Sequence, residues 1–270
     1  MTIKLIAIDI DDTLLTSQQQ LLPSTVEAVQ EALEQGIKVV LCTGRPLKAT
    51  QRFLTALGIT GDDQYVITYN GAIVETASGI ELSKQLLSNA DYRELTAFAK
   101  ANQVPFNVIG TDSGVYTADT DIDCIIALQA VETRGQVLVR TPEQMPNDFV
   151  VAKGLFVGDP ARLDAVEPKV EAAFGQRLSV VRAAPEFLEV MSQGVNKASG
   201  LRALGQHLGI APSEMMAMGD QRNDLQMFKL VGTAVAMGNA VEAAKAQADH
   251  VTASNDEGGV AQAIRRWALN

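Results

Sequence analysis

Asp9, Asp11 and Asp12 follow directly on an apolar run in IKLIAIDIDDT. Burying carboxylates is costly unless they are paired or bound to a cation. Asp9 and Asp11 are two apart, so on an extended segment they project to one side and Asp12 to the other. Two other apolar runs end in comparable polar clusters, VVLCTGRP and MMAMGDQRND. In open parallel sheets, ligands bind at the carboxyl ends of strands. Read alone, DIDD is a solvated turn and GD a β-turn. Three such ends in one sheet favour a site instead. Two close carboxylates cannot both ionise freely without a cation. Asp220 supplies further oxygen, and magnesium takes oxygen ligands in octahedral geometry. The absence of a His or Cys cluster makes magnesium the natural choice.

Other parts of a phosphate site are present. Thr43 and Gly44 lie where a strand meets a helix, and N–H groups at a helix start can hold a phosphate or simply be capped. Lys197 stands near a helix start in VNKASGL, unfavourable for the helix dipole unless it has an anionic partner. Asn223 and Asp224 follow Asp220 and could orient water or ligand, or serve as a helix cap and first-turn acid. Asn70 faces the inserted domain or is a turn residue. Arg45 contacts substrate or pairs with a nearby acid. His207 and His250 read as structural or surface residues.

The elements that position these residues follow from pattern. IKLIAIDI and IKVVLCT read as buried strands, and PSTVEAVQEALEQG and GRPLKATQRFLTALG as helices. Strand alternating with helix is the signature of a parallel sheet covered on both faces. YVITYNGAIVE reads as a hairpin turning at Asn70-Gly71. From about Lys84 the pattern is mixed, with helices near DYRELTAFAKANQ and DPARLDAVEPKVEAAFG and paired strands LSVVRAA and EFLEVM. After Gly194 the first pattern returns: NKASGLRALGQHLG, NDLQMFKLVG, AVEAAKAQA and GGVAQAIRRWA as helices, EMMAMGD, TAVAMGN and DHVTAS as strands. The expected fold class is therefore α/β, a Rossmann-like parallel-sheet core with an inserted α+β domain. The expected boundaries are 1–84 and 191–270 for the core and 85–190 for the insertion.

Composition bounds the partners. The 270 residues are 47% hydrophobic, enough for a sizeable core. A net charge of −10 argues against a nucleic-acid partner and an anionic membrane surface. It leaves room for a small anionic substrate at a locally positive site. Two cysteines, Cys42 and Cys124, do not make a disulfide scaffold, and Cys42 reads as a buried small hydrophobe. The short apolar stretch before the acids is too brief for a signal peptide, and no run has membrane-spanning length. A soluble cytoplasmic protein is expected.

DIDDT, LCTGR, VNK and GDQRND, in this order, resemble the four motifs of the haloacid dehalogenase-like phosphatases. The insertion between the second and third is similar to the C2-type cap of the Cof-type subgroup, as are FLEVMSQGVNKASGL and MAMGDQRNDLQMF. The resemblance spans essentially the whole chain. It implies that Asp9 is the nucleophile and becomes an aspartyl-phosphate, and that Asp11 protonates the leaving oxygen and then activates water. It implies that Mg2+ is held by Asp9, the Asp11 backbone carbonyl and Asp220. Thr43, the Gly44 and Ile10 backbones and Lys197 would hold the phosphoryl oxygens, and Asn223 the phosphate or a metal-bound water. Asp224 would support these groups from behind. A closing cap would exclude water and read the leaving group.

The subgroup usually has Gly where this chain has Asp12, which is expected to face away from the metal. The implied activity is hydrolysis of small phosphomonoesters, sugar phosphates foremost, by a monomer or weak homodimer. The alternatives are a phosphomutase and a phospho-accepting receiver-like module.

Overall fold

A computed structural model describes residues 2–269. The chain divides into two compact units, one formed by residues 1–83 and 196–270, the other by 84–195.

The first unit is built on an eight-stranded sheet. Its first half holds β1 (Leu5–Ile8), α1 (Pro23–Glu34), β2 (Lys38–Cys42), α2 (Leu47–Leu57), β3 (Tyr65–Thr68), β4 (Ile73–Thr76) and β5 (Glu81–Lys84). The second unit follows, with β6 (Leu87–Ser88), α3 (Asn89–Ala101), β7 (Phe106–Gly110), β8 (Val115–Thr117), α4 (Cys124–Glu132), β9 (Val137–Val139), β10 (Val150–Val157), α5 (Pro160–Phe174), β11 (Leu178–Ala184) and β12 (Phe187–Ser192). The chain then returns to the first unit through α6 (Lys197–Leu208), β13 (Met215–Gly219), α7 (Leu225–Leu230), β14 (Thr233–Ala236), α8 (Glu242–Lys245), β15 (His250–Val251) and α9 (Gly259–Trp267).

The strand order is β15-β14-β13-β1-β2-β3-β4-β5, parallel from β15 through β3, with β4 antiparallel to β3. All four residues of β1 are inaccessible, which explains why its sequence is continuously apolar rather than alternating. β1 is also where the order reverses: the chain runs outward through β2 and β3, then later outward the other way through β13, β14 and β15. Crevices form at the carboxyl ends of such switch-point strands. Ile8 is in register with Leu41 on one side and Met218 on the other, so the residues after these three strands emerge together.

The second unit has its own sheet, ordered β11-β12-β10-β7-β8-β9 with β6 beside β10, and its own apolar core of Tyr92, Phe106, Phe156, Leu163 and Leu188. Four elements differ from the sequence expectation. The Asn70-Gly71 connection is a four-residue link with a tight helical turn over Tyr69–Gly71, not a two-residue hairpin turn. The helix expected over AVEAAKAQA is only the four residues of α8. The pattern also did not resolve α4 or β10. β10 carries Lys153 and Gly154 among its apolar residues, and Lys153 is buried by pairing with Glu189 on β12.

Among the described residues no helix is long and apolar enough to cross a membrane.

Candidate active site

Asp9 leaves β1 in extended conformation, and the chain then winds into a wide turn over Ile10–Leu14. The turn is closed by Leu14 N–H donating to the Asp9 carbonyl at 3.1 Å and Leu15 N–H to the Ile10 carbonyl at 3.0 Å. The Ile10 side chain is fully buried, which pins the turn to the core. Two side chains from more than 200 residues later hold it from outside. Asn239 Nδ2 donates to the Asp12 carbonyl at 2.8 Å and Asn255 Nδ2 to the Leu15 carbonyl at 2.9 Å. Asp12 is exposed with φ 56°, the left-handed region that glycine enters without cost and Asp tolerates. This is the physical content of the Gly-to-Asp departure. Asp12 lies outside the acidic cluster described next.

Carboxylate oxygens of Asp9, Asp220 and Asp224 lie within 4.8 Å of one another, and all three residues are buried. Lys197 is their counter-ion. Its Nζ donates to Asp9 Oδ1 at 2.5 Å and Asp224 Oδ1 at 2.7 Å, and its side chain is wholly inaccessible. It occupies the first position of α6, where a cation opposes the helix dipole. The helix starts there nonetheless because Asn196 caps it: Ser199 N–H donates to Asn196 Oδ1 at 3.0 Å.

Asp224 is oriented by both oxygens, with Oδ2 accepting the N–H groups of Asp220 and Gln221 at 3.0 Å each. This close approach requires Gly219, since a Cβ there would stand 2.4 Å from the Asp224 carboxyl carbon. Asp220 Oδ1 accepts from the Thr13 hydroxyl at 2.9 Å. Thr13 was not singled out from sequence, although it stands in the first motif. Its signal was position alone, and its role depends on β13 lying beside β1.

The charges explain the titration. Burial pushes the Asp9 carboxyl well above its usual range. Lys197 opposes that, and the neighbouring acids Asp224, Asp220 and Asp11 reinforce it. Asp220 is pushed up to about 7, by burial first and then by Asp224. Burial would lower the Lys197 ammonium, but Asp224 and Asp9 outweigh it and hold the group charged. Three carboxylates against one lysine leave the cluster short of positive charge.

A divalent cation with a preference for oxygen fits this set. The Asn223 side-chain oxygen is buried and has no hydrogen-bond partner, an acceptor available to a bound water. Asp9, Asp220 and Asp224 are the residues whose carboxylates could hold such an ion.

Thr43 and Gly44 follow β2. Thr43 N–H donates to Ile67 and its carbonyl accepts Asn70 N–H at 2.8 Å, which fixes the loop. Asn70 is itself buried. Asp11 takes a different direction from the cluster: its carboxylate pairs with Arg45. Cys42 is buried. His207 packs edge-on against Tyr65, and His250 stacks on Trp267.

Residues 6–264 match the family described as haloacid dehalogenase-like hydrolase. The chain belongs to this family. It is 36% identical over 271 residues, the whole of both chains, to a candidate phosphatase from Streptococcus pyogenes serotype M6. A haloacid dehalogenase-like hydrolase from Bacteroides thetaiotaomicron superposes with a TM-score of 0.87 at 31% identity, covering 98% of this chain and 99% of that one. The subclass IIB sugar phosphatase BT4131 superposes with a TM-score of 0.80 at 26% identity, covering 98% of each.

Proposed function

We propose that this haloacid dehalogenase-family phosphatase hydrolyses small phosphomonoesters, sugar phosphates among them, with magnesium and through an aspartyl-phosphate on Asp9. The observation that carries this is Asp9 itself. It is a buried carboxylate at a switch-point strand end, with one oxygen fastened to Lys197 and Asp220 beside it.

The oxygen of Asp9 not held by Lys197 is the attacking atom. It forms a bond to phosphorus as the bond to the leaving oxygen breaks, and Asp11 gives that oxygen its proton. In the second half Asp11 takes a proton from water. The water oxygen bonds to phosphorus, and the Asp9–phosphorus bond breaks to release inorganic phosphate. Dividing one displacement into two lowers each barrier. Lys197, with Thr43 and the backbone N–H groups of Ile10 and Gly44, balances charge on the transferring group, the main requirement of phosphoryl transfer. Magnesium bound at Asp9, the Asp11 carbonyl and Asp220 would supply further positive charge and hold the phosphate in line. Asn223 orients water or phosphate, and Asp224 keeps Lys197 in place. The two unpaired cysteines and the acidic charge fit a cytoplasmic protein acting on a small metabolite as a monomer or weak homodimer.

The test is release of inorganic phosphate from a panel of sugar phosphates and an aryl phosphate, with magnesium, with chelator, and with Asp9→Asn. Turnover should need the metal and fall by a factor on the order of 10³ or more in the variant. Full turnover by Asp9→Asn would overturn the nucleophile assignment. Phosphate moved to another position of the sugar without release would identify a mutase.

A further inference from the structure

Arg45 closes on Asp11 with both arms of its guanidinium. Nε donates to Oδ2 at 3.0 Å and Nη2 to Oδ1 at 2.5 Å, and Nη2 also reaches Gln19 Oε1 at 3.1 Å. The Arg45 side chain is only 19% exposed, whereas that of Asp11 is 47% exposed. The Arg45 backbone is fixed at the end of β2, its N–H donating to Thr43 Oγ1 at 3.1 Å and its carbonyl accepting from Tyr69 N–H at 3.3 Å. The residue therefore stands in the phosphate-holding loop while its side chain grips the carboxylate assigned to move the proton.

A forked Arg–carboxylate pair is directional as well as strong. It occupies both Asp11 oxygens. A proton-transfer group must come within hydrogen-bond reach of the atom it serves. Asp11 in this arrangement is committed elsewhere. The acceptor that could replace it on the same fork is an oxyanion such as phosphate, whose geometry the guanidinium matches equally well.

We propose that Arg45 is a positioning residue that pairs with Asp11 and exchanges it for an oxyanion of the incoming phosphomonoester. That exchange releases Asp11 toward the leaving oxygen. This inference rests on the phosphatase reading above. It makes the Arg45–Asp11 pair a competitor of the substrate, so occupancy of the site and freedom of Asp11 are linked reciprocally.

The experiment is a double-mutant cycle on binding rather than turnover. Affinity for inorganic phosphate, with magnesium present, is measured by calorimetry for the parent, Asp11→Asn, Arg45→Met and the double variant. Removing the Asp11 charge favours an anion generally, and that part is equal in both backgrounds. Removing the competitor helps only where Arg45 is present. Asp11→Asn should therefore tighten phosphate binding about fivefold or more beyond its effect in the Arg45→Met background, within the usual range of coupling. Arg45→Lys keeps the charge without the fork and should retain only part of that excess.

Equal effects of Asp11→Asn in both backgrounds would overturn the exchange and leave the phosphatase reading standing. A merely structural pair would alter melting temperatures yet give this additive result. Failure of the folded parent to bind phosphate would overturn the phosphatase reading and the exchange with it.

Discussion

Lys197 bridges two buried carboxylates from the first turn of a helix, a place where its charge would otherwise be a liability. Removing it strands Asp9 and Asp224 without a counter-ion. Lys197→Met should therefore destabilise the metal-free chain by about 3–5 kcal/mol, the range for breaking one side of a buried pair. Urea unfolding reads this, and an unchanged midpoint would mean that the acids simply take up protons. Thr13 acts more quietly, through Asp220. Thr13→Val keeps the shape and removes the donor, so magnesium affinity should fall about 10–100-fold, as for other groups that orient a metal ligand. Titration of metal binding by calorimetry checks it. At this scale the sequence was informative about residue types and less so about partners. Lys197 announced a need for an anion, yet nothing local named Asp224. Arg45 was left between substrate and acid because both readings suit an arginine beside Thr43 and Gly44.

The elements turn those residues into a site by closing gaps between distant segments. Gly71 is one such joint. Its φ is +97°, and a Cβ there would stand 2.1 Å from the Asn196 carbonyl oxygen, the residue that caps α6 and sets Lys197. Gly71→Ala should cost about 2 kcal/mol or more through strain and collision. A melting temperature equal to the parent's would refute that. The turn at Asp12 teaches the same lesson. Alternation along an extended strand placed Asp9 and Asp11 on one side, but β1 ends at Ile8 and the chain winds on through Asp12 in a left-handed conformation. Periodicity describes side chains only while the backbone stays regular. The buried strands and long helices were legible because their burial spans many residues. β10 was not, because a cross-strand ion pair lets a lysine sit where the pattern demanded an apolar residue.

At the scale of the molecule, two sheets carry two separate apolar cores, and among the described residues only the first bears the carboxylate cluster. Glu75 on β4 offers a probe of that first unit that is independent of the cluster. Burial pushes its carboxyl above the ordinary 4.5, against the lowering effect of the Thr68 hydroxyl that donates to it at 2.8 Å. The folded state then binds the proton more tightly than the unfolded state. The stability from this group is full below 4.5 and is lost as pH rises through the higher folded value. Glu75→Gln lacks the titrating proton, so its melting temperature relative to the parent should be higher at pH 8 than at pH 4. An equal difference at both would mean that the carboxyl is not perturbed. The bonds from Asn239 to Asp12 and from Asn255 to Leu15 span 227 and 240 positions. During translation at about 5–20 residues per second, the loop bearing Asp9 leaves the ribosome roughly 10–50 s before the side chains that brace it. For that interval the loop lacks both of the side chains that brace it in the folded chain.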